Sequence, residues 1–279
     1  MPTLVACQAR LLPRPGPLLA LAATLSACGL RDLPARCPTG DGLIAEDSGY
    51  GGATLPPQTA ALTFDGGPND ATGAIGEVLS VAGVKATFFV DGKAIDGSKG
   101  VLDRLVDQGH LIGQRGWSGR NLDDAADVVT EVRRTDEALA PWVSGRMFLL
   151  RPVGGTLTSA AASRLRRAGL GRYVGPISWE IGPGAGLAAD DDACEEAGTT
   201  SAVCAAALAS EVRAQGRAIV ALRGDAPYAA DVTRALVAEL AEDTFRTARV
   251  DGIGDVARAL VLAGAQPEAL GGGDGCEEY

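Results

Sequence analysis

Apolar and polar residues follow two periods along most of this chain. Short apolar runs, typical of buried strands, recur between longer segments whose apolar residues have helical spacing. The predicted strands are 60–65, 86–90, 111–112, 147–150, 173–177, 218–222 and 245–250. The predicted helices are 70–81, 101–106, 123–139, 158–168, 201–215, 229–240 and a last one ending at Leu262. Strand and helix alternate about seven times, which predicts an α/β fold with a parallel sheet, closed or nearly closed into a barrel.

The first predicted strand ends in an acidic residue. Leu62 and Phe64 alternate with Thr63, Asp65 follows, and Gly66-Gly67-Pro68 cannot continue a strand. Because α/β folds place their chemistry at the carboxyl ends of parallel strands, Asp65 is a candidate functional residue. A solvated turn aspartate is the alternative interpretation.

Composition limits the size of the domain and the kind of partner. The chain has 279 residues, 46% of them hydrophobic, enough for one α/β domain of about 200 to 250 residues. The net charge of -10 and the pI near 4.7 argue against nucleic acid or an anionic membrane face as a partner. A neutral or cationic partner remains open, and no oligomeric state is predicted.

Residues 1–28 have the pattern of a lipoprotein signal peptide. Arg10 and Arg14 form a basic region, and the apolar stretch 17–24 is too short to span a bilayer. Leu25-Ser-Ala-Cys28 resembles the bacterial lipobox, in which the cysteine is lipidated. The sequence therefore predicts an exported protein anchored through Cys28, periplasmic or at the cell surface. An ordinary secretory signal with a chance cysteine is the alternative.

The remaining regions differ in composition. Residues 29–57 are rich in Gly, Pro and Asp without apolar periodicity, which predicts a flexible linker. Residues 58–265 form the predicted globular domain, and 266–279 a loose tail.

Cysteine counting agrees with export. If Cys7 leaves with the signal and Cys28 carries lipid, an even number remains, which suits an oxidising compartment. Cys194 and Cys204 are close together on a predicted polar loop and are expected to pair, leaving Cys37 to pair with Cys276. The alternative is a metal cluster, but the chain has one histidine and no Cys-x-x-Cys spacing.

Five stretches at the ends of the predicted strands resemble, in order, the motifs of the NodB-like polysaccharide deacetylases, carbohydrate esterase family 4. The family's Thr-Phe-Asp-Asp-Gly-Pro corresponds to 63–68, its Arg-Pro-Pro-Tyr-Gly to 151–155, and its apolar strand closing in Leu-x-His to 219–223. A Trp-containing stretch, 175–180, occupies the place of the Asp-x-x-Asp-Trp region. The family's Gly-His-Glu-Ile-Gly-Asn-His-Thr-x-Ser-His-x-Asn-Leu corresponds to Gly109-His110-Leu111-Ile112-Gly113-Gln114-Arg115-Gly116-Trp117-Ser118-Gly119-Arg120-Asn121-Leu122.

The resemblance covers most of the chain from about Thr59 to Ile253 and implies a fold and a reaction. The implied fold is a distorted (β/α)7 barrel, and the implied reaction is hydrolysis of N-acetyl groups from amino-sugar polymers such as chitin or peptidoglycan. In the family one aspartate is the general base, while a second aspartate and two histidines hold zinc or a similar ion. A final histidine protonates the leaving amine.

The chain departs from this pattern at the metal site. Asp65 retains the base position, but the metal aspartate is Gly66, the metal histidines are Arg115 and Gly119, and the leaving-group histidine is Arg223. Glycine has no ligand atom and arginine stays protonated, so none of these four can perform the family's role. The sequence therefore predicts no metal cofactor and negligible metal-dependent deacetylation.

Two interpretations of function remain. The first is a surface-tethered family member that lacks its metal centre and binds amino-sugar glycan or serves as a scaffold in the cell envelope. The second is an active hydrolase with a rebuilt site of Asp65, Arg115, Arg151 and Arg223. Both place Arg115 and Arg223 in the cleft, with an expected Asp65–Arg115 ion pair. Arginines turned outward to water are the alternative.

The sequence also predicts roles for four further residues. Trp117 and Trp179 lie in motif loops and are candidates for stacking on a sugar ring, with core packing as the alternative. Gly154 is a predicted substrate-binding position. His110, the lone histidine, is expected to pack or cap rather than to bind a metal.

Overall fold

The structure is a computed structural model, and it describes residue 44 and residues 49–123, 127–145, 147–185 and 190–265. The predicted signal peptide, the lipidation site Cys28, the Cys37–Cys276 pair and the C-terminal tail all lie outside the described residues. They stay predictions.

A parallel sheet is the centre of the fold. Its strands are β1 (Thr59–Asp65), β2 (Thr87–Val90), β3 (Leu111–Gln114), β4 (Arg217–Arg223) and β5 (Arg246–Ala248). Their order is β3-β2-β1-β4, and β5 pairs with the first residues of β1. Every pairing is parallel, so the carboxyl ends of the strands share one edge.

Isolated parallel bridges extend the sheet beyond these five strands. Gln114 at the end of β3 bridges to Leu150, Leu149 bridges to Val174, and Ile181 bridges to Val220 in β4. The predicted strands 147–150 and 173–177 are present only as such bridges. The α/β fold with a parallel sheet is confirmed, although the bridges do not complete a continuous ladder around a closed barrel in the described residues.

Helices connect the strands in the predicted alternation. They are α1 (Asp70–Val81), α2 (Lys99–Asp107), α3 (Val128–Leu139), α4 (Ser159–Leu165), α5 (Asp191–Glu196), α6 (Ser201–Gln215), α7 (Pro227–Glu242) and α8 (Gly254–Leu262). The helix predicted from residue 123 begins at Val128, because the Asp127 side chain accepts a hydrogen bond from Val129 N and caps it there. After α4 the chain continues as a π-helical turn, Arg166–Leu170.

Helix α5 was not predicted. The sequence indicated a polar loop around Cys194, but Asp190 accepts a hydrogen bond from Ala193 N and starts a short helix. The predicted Cys194–Cys204 disulfide is confirmed and joins α5 to α6, with a Cα–Cα distance of 5.9 Å.

The core lies on both faces of the sheet. Leu62 and Phe64 pack in the larger apolar cluster, while Ala61 belongs to a second cluster on the other face. Ile44 and Leu55 are also buried, so the described part of the predicted linker packs on the domain, contrary to expectation. Among the described residues, no helix combines the length and the apolar character needed to cross a bilayer.

Candidate functional site

The carboxyl end of β1 opens into a glycine turn. Gly66 and Gly67 have φ of 98° and 73°, a left-handed conformation that glycine adopts without strain. Gly66 N donates to Phe89 O of β2, and Gly224 N donates to Asp65 O, so the turn is fixed between its two neighbouring strands. Asn69 then caps α1 through Thr72. Asp65 is thereby held at the strand edge, where chemistry was predicted.

Arg151 is the partner of Asp65. Its guanidinium is fully buried, and Nη1 donates to Asp65 Oδ1 at 3.0 Å and to Thr63 Oγ1 at 2.6 Å. Nε donates to Ile177 O at 2.9 Å, and Nη2 to Ser178 O at 3.2 Å. Burial lowers the pKa of Arg151, while the charge and the hydrogen bond of Asp65 oppose that effect. The carboxylate of Asp65 is therefore fixed in one orientation.

The predicted Asp65–Arg115 ion pair is replaced by a different one. Arg115 follows β3 and its Nη1 lies 3.7 Å from Asp91 Oδ1, at the end of β2. Burial raises the pKa of Asp91, Arg115 lowers it, and Asp225 and Asp65 raise it further. Asp91 was not singled out from the sequence, although it follows the apolar strand Ala86–Val90 just as Asp65 follows its own strand.

The two glycines at the family's ligand positions are surrounded by other side chains. A Cβ at Gly66 would lie 3.0 Å from Asp225 Oδ2 and 3.4 Å from Arg115 Nη1. A Cβ at Gly119 would lie 2.6 Å from Asp91 Oδ2. Among the described residues no three His, Cys, Asp or Glu side chains are grouped to hold a metal ion. The residues at this site therefore do not fit the family's zinc.

Arg223 ends β4 and is held by acidic residues. Its Nη1 lies 2.9 Å from both Asp192 Oδ1 and Glu195 Oε2 on α5, and its Nε lies 3.4 Å from Asp225 Oδ1. Partial burial lowers the pKa of Arg223, but Asp192 and Asp225 outweigh it and raise the pKa overall. Its backbone N–H donates to Asp191 Oδ2 at 2.8 Å. Arg223 therefore stays cationic and cannot serve as a proton donor near neutral pH.

These groups surround one cavity of about 310 Å³. Of the predicted site residues, Asp65, Arg115, Gly154, Trp179 and Arg223 line it. Asp192 and Asp225 also line it and were not predicted. Arg151 lies behind the wall and acts on the cavity through Asp65.

Residues 52–173 match the model of the family described as polysaccharide deacetylase. The chain contains a polysaccharide deacetylase domain. A chitin deacetylase from a Pestalotiopsis species is 36% identical over 123 residues, which cover 42% of this chain and 41% of that relative. The chain thus spans less than half the length of this curated relative.

Solved structures agree on the fold of the deacetylase domain. The peptidoglycan deacetylase PdaC from Bacillus subtilis has a TM-score of 0.57 at 20% identity, covering 72% of this chain and 92% of that one. A mutant of BA3943, described as a carbohydrate esterase family 4 pseudoenzyme with restored enzymatic activity, has a TM-score of 0.57 at 17% identity, covering 73% and 70%. At such identities the likeness establishes the fold alone.

The two tryptophans that the sequence singled out as candidates for sugar stacking have different surroundings. Trp179 lines the cavity, with Nε1 donating to Pro183 O at 3.1 Å. Trp117 is not part of the cavity lining, and the Arg134 guanidinium covers its ring at 3.7 Å. Trp117 is half-buried beneath Arg134 and belongs to none of the apolar clusters of the described residues, so its observed contact is with a cation rather than with the core. Trp179 packs against the second apolar cluster and also lines the cavity, which leaves it as the candidate for sugar stacking.

His110 has the structural role that was expected. It is buried, its Nδ1 accepts from Ala86 N at 3.1 Å, and its ring packs edge-on against Phe88. Burial lowers the pKa of His110 to about 4, and Lys85 adds to that effect. The His110 side chain is therefore uncharged near neutral pH.

Proposed function

We propose that this chain is an exported member of the polysaccharide deacetylase family that binds amino-sugar glycan without metal-dependent deacetylation. The observation that carries the proposal is the substituted ion site. Gly66, Arg115 and Gly119 stand where the family's ligands are expected, and Asp225 and Asp91 approach the two glycines.

The energetic consequence of losing the ion is large. Bound zinc lowers the pKa of water from about 15.7 to about 7, roughly 12 kcal/mol of hydroxide stabilisation. General-base catalysis by one carboxylate contributes about 10²- to 10⁴-fold, or about 3 to 5 kcal/mol. Asp65 alone therefore does not replace the ion.

Glycan binding is supported by the shape and lining of the cavity and by the relatives. The cavity combines the Trp179 ring with several hydrogen-bonding side chains, a lining suited to sugars. The relatives named above are a chitin deacetylase and a peptidoglycan deacetylase. A polymer of the chitin or peptidoglycan type is accordingly the proposed ligand.

The proposed location is the cell envelope, with attachment to the membrane only through lipid on Cys28. Cell fractionation tests this part separately. Wild-type chain in the membrane fraction and a Cys28→Ser variant released from it would support the anchor. An unchanged distribution would contradict it.

A second candidate function is hydrolysis by a rebuilt site. It is favoured by the intact Asp65–Arg151 pair, which keeps a carboxylate oriented at the cavity that Arg115 and Arg223 also line. In that function Asp65 would act on water as a base beside the two guanidinium groups.

One experiment separates the two candidates. Acetate release from acetylated chito-oligosaccharides is measured with added zinc or cobalt, for the wild type and for Asp65→Asn, which can still accept the hydrogen bond from Arg151. Sedimentation with insoluble chitin or peptidoglycan is measured in parallel. Binding without turnover supports the glycan-binding proposal. Turnover that Asp65→Asn abolishes supports the hydrolase, and absence of both leaves a scaffold role and contradicts both candidates.

A further inference from the structure

The guanidinium of Arg115 donates no hydrogen bond to another of the described residues. Its side chain is 15% exposed, its Nε is buried without a partner among the described residues, and Asp91 lies at 3.7 Å, beyond hydrogen-bond length. Arg151 and Arg223, in contrast, donate to several oxygens each. A guanidinium has five N–H donors, and leaving buried ones unpaired is unfavourable. Because Nε is inaccessible, an acceptor supplied by another molecule would have to bind the terminal N–H groups of Arg115, which lines the cavity.

The surroundings position Arg115 beside the cavity. Its Nη1 lies 3.4 Å from the place of a Cβ at Gly66, so any side chain there would crowd it. The absence of a side chain at Gly119 likewise leaves room for the carboxylate of Asp91, which is the ionic partner of Arg115. The two glycines and the arginine thus form one arrangement, in which a guanidinium stands near the ligand positions that the family uses for its ion.

The charges at the cavity restrict the kind of acceptor. Asp65, Asp192 and Asp225 line it beside Arg115 and Arg223. With Arg151 paired to Asp65 behind the wall, three carboxylates face three guanidinium groups, so the lining offers an anionic ligand no net attraction. A cationic amine at this position would be repelled by the positive charge of Arg115. A neutral oxygen acceptor, such as an amide carbonyl, fits both conditions.

We infer that Arg115 binds the acyl oxygen of an N-acetylated sugar in this cavity. This rests on the proposed glycan binding in the same cavity and specifies its ligand. Arg115 N–H groups donate to the acetamide carbonyl, while the Trp179 ring faces the sugar. Binding is then independent of metal and is tighter when the acetyl group is present.

The test compares acetylated and fully deacetylated chito-oligosaccharides of equal length by calorimetry, with and without EDTA. Wild type should bind the acetylated oligomer more tightly, with the same affinity in EDTA. Arg115→Met should weaken that binding at least about tenfold, as expected for losing a charge-assisted hydrogen bond, and should change binding of the deacetylated oligomer less than about twofold. Arg115→Gln keeps an amide N–H donor, so its affinity for the acetylated oligomer should lie between those of the wild type and Arg115→Met.

The matched control is Arg234→Met on α7. Arg234 is 63% exposed, pairs with Asp231 and is not part of the cavity lining, so its removal should leave both affinities unchanged. Thermal melting of every variant checks folding. Wild-type affinity in Arg115→Met, preference for the deacetylated oligomer, or loss of binding in EDTA would each overturn the inference while leaving glycan binding intact. If the wild type binds neither oligomer, the proposed function falls as well.

Discussion

Arg151 and Arg115 both act at the carboxyl edge of the sheet, but their environments are opposite. Arg151 is fully buried and donates hydrogen bonds to Asp65, Thr63, Ile177 and Ser178. Arg115 lines the open cavity and has an ionic contact of 3.7 Å with Asp91. Arg151 has its hydrogen-bond partners within the chain, whereas the Arg115 side chain donates no hydrogen bond to another described residue. We call the first arrangement the rigid half of the site, and the second, which is proposed to bind the ligand, the recognition half.

Removing the partner of Arg151 should have the largest effect. Asp65→Ala leaves a buried guanidinium without its counterion, which is expected to cost about 3 to 5 kcal/mol in free energy of unfolding. Urea denaturation at pH 7 measures it. Asp231→Ala, which removes a 62% exposed carboxylate paired with Arg234, should change the free energy by less than about 1 kcal/mol. If both variants lost the same free energy of unfolding, the buried Asp65–Arg151 pair would be no more important for stability than an exposed one, and the rigid half would not be rigid for the reason given.

The sequence predicted the members of the rigid half but not the contact between them. Asp65 and Arg151 lie in contiguous motif stretches, so their places follow from the resemblance, but the partner expected for Asp65 was Arg115 rather than Arg151. The partner of Arg115 could not be predicted in this way, because it depends on how the loops after β2 and β3 direct their side chains. Asp91 and Asp225 lie outside the matching motif positions and meet Gly119 and Gly66 only in the folded chain.

The same limit applies to the fold. Long periodic segments such as α1 and α6 were predicted to the residue, because the apolar face and the N-cap agree. The segments 147–150 and 173–177 were too short for their apolar runs to distinguish a regular strand from a single bridge. Ile44 and Leu55 lie in a stretch rich in Gly, Pro and Asp without apolar periodicity, so their burial could not be inferred from a repeating pattern.

A pH titration sharpens the comparison at Arg223, the third guanidinium of the cleft. Asp191, which accepts from the Arg223 backbone, has its pKa raised to about 7 by burial, partly offset by that hydrogen bond. The native state then holds a proton that the unfolded state releases near pH 4, so stability falls as pH rises from about 4 through about 7. Between pH 5.5 and 7.5 the decrease due to Asp191 should be about 2 kcal/mol.

Comparing the wild type with Asp191→Asn isolates this effect. His110 acts in the opposite direction, since its pKa lowered to about 4 makes the native state lose stability as pH falls below about 6.5. Its contribution is the same in both proteins and cancels in the difference. Urea midpoints at pH 5.5 and 7.5 should show a steeper decrease with pH for the wild type. Parallel pH profiles would mean that Asp191 is ionised in the folded protein at pH 5.5.

The smallest expected effect is the gain in zinc binding when the family's ion ligands are restored by substitution. A variant with Gly66→Asp, Arg115→His, Gly119→His and Arg223→His recovers the expected residue types, yet it should not gain stoichiometric zinc. Positions 66 and 119 have φ of 98° and 68°, which strain any side chain placed there, and Asp225 and Asp91 approach both new side chains closely. Zinc content after dialysis measures the outcome, with the wild type as control. One tightly bound zinc per chain would show that the recognition half is still interchangeable with a metal centre.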